Sequence, residues 1–258
     1  MAPMQCLLFA DILNFLRFYS RLPIGDHAQA PLDFGRMALA LPIAGALIGA
    51  TGAAGLIVAG KCHLPAFACA VIGVTVLVLA TGALHEDGLA DVADGFGGGA
   101  TRESKLAIMR DSRIGTYGVL ALCFSVLLRV AALASILERS ATLAALTLVF
   151  AGALSRVAGL APMMWFSPTR PDGLGATVVA PSREIWARAW FAAAAFGVAP
   201  WFAGVGVSQM AIAIIAAFAV AALAARIAKH QIGGYTGDVL GAAQQLVEIV
   251  ILATLSAV

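Results

Sequence analysis

The chain has 258 residues, of which 61% are hydrophobic and only 12% are charged. A soluble domain carries about 25% charged residues, so this composition excludes an ordinary soluble protein and implies one membrane-embedded domain over residues 1–258. The formal net charge of +2 excludes nothing by itself, but the basic residues are not interleaved with aromatics, which argues against nucleic-acid binding.

In chain order, residues 4–20 are apolar but interrupted by Asp11, Asn14 and Arg17. That pattern predicts an amphipathic helix lying in the membrane interface rather than crossing it. No basic stretch followed by a short apolar core and a cleavage site opens the chain, so no signal peptide is expected. Seven later stretches are long and apolar enough to cross about 30 Å of hydrocarbon: 38–60, 65–84, 117–137, 141–164, 189–205, 208–226 and 239–257. The last is the most polar, with Gln244, Gln245 and Glu248. The expected fold is all-α, a polytopic helical bundle of about seven transmembrane helices plus the N-terminal interfacial helix. Gly45 and Gly49 form a GxxxG in the first span, a spacing that permits close helix approach but that also arises from ordinary glycine usage in membrane helices. Cys6, Cys62, Cys69 and Cys123 form no CxxC pair and read as small apolar packing residues.

The connections alternate in character. Those at 20–37, 85–116, 165–188 and 227–238 are long and polar; those at 61–64, 138–140 and 205–208 are short. Seven spans put the long set on one side, with twelve of the sixteen Lys and Arg; Lys61 and Arg139 fall on the other, and Arg129 and Arg156 within spans. By the positive-inside rule the long loops and the N-terminus are cytoplasmic.

Three polar motifs interrupt the apolar background. The first is HEDGLADVADGFGGG, residues 85–99. If residues 86–94 are helical, Asp87, Asp91 and Asp94 fall at i, i+4 and i+7 on one face, with Glu86 beside them. Carboxylates that close repel one another, and a divalent cation removes that penalty. Hard oxygen donors in this number suit Mg²⁺ or Mn²⁺, and Mg²⁺ usually arrives with substrate phosphates. A solvated acidic helix start accounts for one or two acids, but not for four flanked by glycines. His85 suits acid–base chemistry, phosphate binding or a structural hydrogen bond. The run Gly97–Gly99 either lets backbone N–H groups approach phosphate or is a flexible turn.

The second motif, MRDSRIGTYG at 109–118, supplies Arg110 and Arg113 for an oxyanion, and Asp111 either to orient one of them or to complete the metal shell. Ser112, Gly115 and Thr116 favour a dedicated site over a basic cluster that only meets lipid headgroups. The third, GGYTGDVLGAAQQLVE at 233–248, places Gly237 and Asp238 before Gln244 and Glu248, which lie at i and i+4. An ionisable residue at the depth of Glu248 is a functional candidate, or it pairs with Arg129 or Arg156 for packing. Each of those arginines costs about 2.5–3.5 kcal/mol in a span unless it snorkels or pairs. Arg156 either meets an anionic substrate or pairs with an acid.

These three motifs, in this order and spacing, resemble the cobalamin (vitamin B12) synthase family, the adenosylcobinamide-GDP ribazoletransferases. The resemblance covers essentially the whole chain and includes LRFYSRLPIG at 16–25. It departs at Gly97, where a bulkier aromatic is expected. The resemblance implies an Mg²⁺-dependent enzyme of the bacterial inner membrane that joins adenosylcobinamide-GDP to α-ribazole, or its 5′-phosphate, and releases GMP. It implies that Glu86, Asp87, Asp91 and Asp94 serve the metal and the pyrophosphate, with Asp91, Asp94, Asp238 and His85 as candidate catalytic groups. Arg110, Asp111, Arg113, Thr116, Gly237, Gln244, Glu248 and Arg156 are then candidate substrate-binding residues. The expected partners are the two substrates and the lipid bilayer, with a homo-oligomer left open. The competing readings are a CDP-alcohol phosphotransferase-like or prenyltransferase-like enzyme, and a divalent-cation transporter. The first lacks its Asp-Gly-x-x-Ala-Arg opening here, and the last is disfavoured because most acids lie at one face.

Overall fold

The computed structural model describes residues 4–25, 33–170 and 178–257. Among these residues the secondary structure is helical, with no strand; two isolated bridges, Asp33 to Val179 and Pro168 to Tyr235, tie loops together. Parts of two expected long connections, 26–32 and 171–177, lie outside the described residues.

Helix α1 (Met4–Tyr19) packs on α3 (Leu41–Lys61). It buries Phe15 and Leu16 while leaving Leu7, Leu8 and Phe9 exposed. Its Asp11 pairs at 2.8 Å with Arg36 of the short helix α2 (Phe34–Met37). Helix α3 carries Pro42 in its first turn, where the missing N–H leaves no bond unmade. It packs closely on α8 (Ala141–Ala158), and the reason is glycine. A Cβ on Gly45 would lie 2.3 Å from the Gly152 carbonyl oxygen, and one on Gly49 2.3 Å from that of Leu148. The GxxxG is therefore a helix contact, completed by Gly152.

Helix α4 (Ala66–Thr81) turns 89° into α5 (Leu84–Gly98). Next come α6 (Arg102–Ile108), opened by a Thr101–Ser104 capping box, and α7 (Thr116–Arg139). After α8 the chain makes the short α9 (Ala161–Trp165), then α10 (Arg183–Ala195), α11 (Val198–Phe202), α12 (Val207–Ile232) and α13 (Gly237–Ser256). Helix α13 is central, packing against α5, α7, α8 and α12.

Five of these are long and apolar enough to cross a membrane: α3, α7, α8 with α9, α12 and α13. The bent α4–α5 pair makes up to six. The remaining expected span, 189–205, is not one long helix. It breaks between α10 and α11 because Pro200 has no N–H to offer the Phe196 carbonyl. The Trp186 indole donates to Val157 at the end of α8 (2.9 Å), whereas Gly197 packs on Met210 near the start of α12. The outer faces of α7 and α12 expose Phe124, Leu127, Ile212 and Ile215, the surface a bilayer would cover. Cys69 is buried, Cys62 and Cys123 are exposed, and all three are free; the side chain of Cys6 lies outside the described residues.

Candidate active site

The α4–α5 corner sets the site. Gly82 and Ala83 both take left-handed backbone, with φ of +62° and +59°. A Cβ on Gly82 would lie 2.2 Å from Arg21 Nε, so glycine is favoured there both by its φ and by the space it leaves for that side chain. Ala83 carries strain of about 1–2 kcal/mol in that region. The corner swings the first turn of α5, with His85, Glu86 and Asp87, across the bundle toward α13.

The helical reading of 86–94 holds, since all of it lies in α5. The first and third motifs meet where α5 touches the start of α13. A Cβ on Gly88 would sit 2.8 Å from the Asp238 carbonyl oxygen, and Gly241 packs on the backbone of His85 and Gly88. Thr236 caps α13, accepting from Val239 N–H, and its hydroxyl donates to Asp238 Oδ2 at 3.1 Å. This brings Asp238 beside Asp87 and Asp91. Asp91 lies within electrostatic reach of Asp87, Asp238 and Asp94, and of the Arg170 guanidinium, which also acts on Asp238.

The four acids of the first motif have different employments. Asp94 accepts backbone N–H bonds from Gly115 (2.7 Å) and Gly118 (2.8 Å), which join the first and second motifs. It caps α7, whose own N-cap, Gly115, offers no side chain. Glu86 turns into the bundle. Its Oε1 lies 3.0 Å from Arg129 Nη1 and accepts from Gln245 Nε2 at 3.1 Å. The physical reason is Arg129, fully buried at the level where α5, α7 and α13 meet and in need of counter-charge. The carboxylates of Glu86 and Asp94 are thus engaged in these contacts, while Asp87, Asp91 and Asp238 lie within electrostatic reach of one another. Among the described residues no group of three or more His, Cys, Asp or Glu side chains is assembled to hold a metal by itself. The donor chemistry nonetheless fits a hard cation. These carboxylates repel one another, Arg170 offsets part of that, and Mg²⁺ commonly takes only one or two carboxylates beside substrate phosphates.

Glu248 lies 3.3 Å from Arg129 Nη1 and accepts from Gln244 Nε2 at 2.9 Å. Glu248 is thus paired with Arg129, and it lines neither of the cavities described below. Gln245 in turn accepts from Ser125, so α5, α7 and α13 are joined by a buried polar network.

Two cavities flank α5, and Asp87 lines both. The first, about 150 Å³, lies among α1, α5, α8 and α13, with His85, Arg156, Gly237, Asp238 and Gln244 on its wall. The second, about 420 Å³, is bordered by Asp91, Arg110, Asp111, Ser112 and Arg113. Asp111 holds Arg113 through a two-point contact, Nε to Oδ1 at 3.0 Å and Nη2 to Oδ2 at 2.6 Å. That guanidinium keeps the Asp111 carboxyl at about 2, below its usual range. Thr116 is exposed at the start of α7 and borders neither cavity. The glycine run does not form a phosphate loop: Gly97 and Gly98 belong to α5, and Gly99 is its C-cap. A Cβ on Gly97 would meet the Tyr117 ring at 2.7 Å, and one on Gly99 would meet Lys105 at 2.5 Å. At the one departure from the expected motif, then, Tyr117 fills the space.

Sequence reasoning missed three participants. Tyr19 stacks on His85, with centroids 5.5 Å apart and planes 10° apart; it lies inside the LRFYSRLPIG element, which was the available signal. Arg170 sits in a long connection and carries no motif. Gln245 was noted only as a polar blemish in the last span.

A profile of the family described as Cobalamin-5-phosphate synthase matches residues 11–256. Proteins named adenosylcobinamide-GDP ribazoletransferase are similar along nearly their whole lengths. That of Azorhizobium caulinodans is 48% identical over 254 residues (95% of this chain, 94% of the relative). That of Xanthobacter autotrophicus is 46% identical over 248 residues (94% of each). That of Bradyrhizobium diazoefficiens is 42% identical over 246 residues (95% of this chain, 92% of the relative). No solved structure matches. Joined to three motifs that converge on one end of a helical bundle, these matches place the chain: it belongs to the cobalamin-5-phosphate synthase family.

Proposed function

We propose that this chain joins adenosylcobinamide-GDP to α-ribazole, or to α-ribazole 5′-phosphate, in an Mg²⁺-dependent phosphoryl transfer that releases GMP. The observation that carries the reading is the meeting of Asp87, Asp91 and Asp238 at the α5–α13 contact, between two cavities. A two-substrate transfer needs two pockets with a shared charged wall, and it needs positioning and charge neutralisation more than covalent catalysis. The names of the relatives supply the substrate class.

Asp87 and Asp91 would hold Mg²⁺ together with the diphosphate. When bound, that ion neutralises charge on the phosphoryl oxygens. Arg110 and Arg113, on the second cavity, hold the GMP end and offset the charge it gains on leaving. Asp238, on the first cavity, receives the proton of the attacking ribose hydroxyl. The hydroxyl oxygen forms a bond to the phosphorus attached to the cobinamide arm. The bond from that phosphorus to the bridging oxygen of GMP breaks, and GMP leaves with the electron pair.

Orientation follows from charge. The long polar connections that carry the site motifs, with the N-terminal segment, are assigned twelve of the sixteen Lys and Arg by the sequence reading, so we place the protein in the bacterial inner membrane with that side in the cytoplasm.

The test is turnover of the purified protein in detergent or liposomes with both substrates, with and without Mg²⁺, following GMP and the corrinoid product by chromatography. Equimolar, metal-dependent products are expected. A folded protein that binds the corrinoid yet yields no product with α-ribazole or its phosphate would overturn the reading.

A further inference from the structure

The chain leaving α9 is clamped where it passes the site. Tyr235 N–H donates to the Ser167 carbonyl (3.2 Å), and the N–H and hydroxyl of Thr169 both donate to the Tyr235 carbonyl (2.9 and 3.2 Å). Gly234 leaves room for this segment, since a Cβ there would run into the Ser167 carbonyl oxygen. Residues 167–169 are therefore fixed to the turn between α12 and α13, three positions before Asp238.

Arg170 follows directly. Its Nη2 donates to the Leu106 carbonyl in the last turn of α6 at 2.6 Å. The neighbouring Lys105 carbonyl lies against Gly95 of α5, one turn beyond Asp91. The side chain is thus held at both ends. Its backbone is tied to the turn that leads into Asp238, and its head to the helix packed beside Asp91. From there its charge acts on both carboxylates. Arg170 lines neither cavity, whereas Asp238 borders the first, Asp91 the second and Asp87 both. It stands beside the acids and outside the space that a substrate would fill.

A guanidinium keeps its charge at any ordinary pH. A fixed cation at this place opposes a second cation on the same carboxylates. A diphosphate reverses the balance, because its negative charge is attracted by the arginine and the metal together. Resting on the metal–diphosphate reading above, we infer that Arg170 is a positioning residue, a resident counter-cation that weakens the hold of Asp91 and Asp238 on a free divalent ion, so that the ion is retained only when a diphosphate accompanies it. This role has a sign that a purely structural role lacks. Removing the charge tightens binding of the free ion, whereas loosening the site weakens it.

The experiment is equilibrium dialysis of the purified full-length protein against Mn²⁺, with and without GDP, counting the Mn²⁺ retained by wild type, Arg170→Gln and Arg170→Lys. Glutamine keeps a donor for the Leu106 carbonyl and drops the charge; lysine keeps the charge. Without GDP, Arg170→Gln is expected to bind Mn²⁺ at least about tenfold more tightly than wild type, and Arg170→Lys should stay close to wild type. GDP should strengthen Mn²⁺ retention by a larger factor in wild type than in Arg170→Gln. Equal or weaker Mn²⁺ binding by a folded Arg170→Gln would overturn the assignment and leave the metal reading standing. Should Arg170→Gln fail to fold, Arg170→Met is read in the same way. A wild type that retains no Mn²⁺, alone or with GDP, would strike the metal reading and this inference together. The expected Mn²⁺ pattern without turnover would strike the proposed reaction and spare the role of Arg170.

Discussion

Replacing Arg129 with methionine removes the cation that Glu86 and Glu248 share. Arg129 is fully buried, and its Nη1 lies 3.0 and 3.3 Å from the two carboxylates. Deleting one partner of a buried pair costs about 3–5 kcal/mol, because the remaining charge stays desolvated. Here two carboxylates are stranded at once, each 6% exposed or less, so the loss should reach the upper end, about 5 kcal/mol. Neutralising the acids as well, in Arg129→Met with Glu86→Gln and Glu248→Gln, leaves amides that Gln244 and Gln245 can still meet, and should restore most of that loss. The assay is unfolding in detergent followed by tryptophan fluorescence, with the variants compared as a cycle. If Arg129→Met is within about 1 kcal/mol of wild type, or if the triple variant is no better than the single one, the buried network does not hold α5, α7 and α13 together as argued.

Asp91→Asn should lower turnover by about 100-fold or more while leaving the melting temperature unchanged or raised, since it removes a carboxylate from a mutually repelling set; equal turnover would refute its role, and a lower melting temperature would refute the repulsion. Gly88→Ala puts a Cβ 2.8 Å from the Asp238 carbonyl oxygen, so it should separate α5 from α13, cost about 1–3 kcal/mol and abolish turnover, all readable in one preparation. Asp94→Ala strips two backbone N–H groups at the start of α7 of their acceptor and should cost about 1–2 kcal/mol in the same unfolding assay.

The sequence by itself determined the class of fold and, through three spaced motifs, the family. Low charge and long apolar stretches dictate a helical membrane bundle, because backbone groups in hydrocarbon must bond within their own segment. Three aspartates at helical spacing, with Glu86 beside them, mark a candidate site on one face of α5. Tertiary structure decided which acid does what. Glu86 and Asp94 belong to the same motif as Asp87 and Asp91. Yet one neutralises Arg129, 43 positions later on α7, and the other caps the start of that same helix. Helical periodicity assigns a face but carries no information about which distant charge or free N–H meets it. The expected span at 189–205 shows the same limit. Hydropathy sees one apolar stretch at 189–205, while Pro200 divides it into two short helices held by Val157 at one end and Met210 at the other. Likewise the GxxxG at 45–49 is ambiguous as a pattern. It becomes a contact only because Gly152 and Leu148 present bare backbone opposite it, a complementarity that exists between helices and in neither one alone.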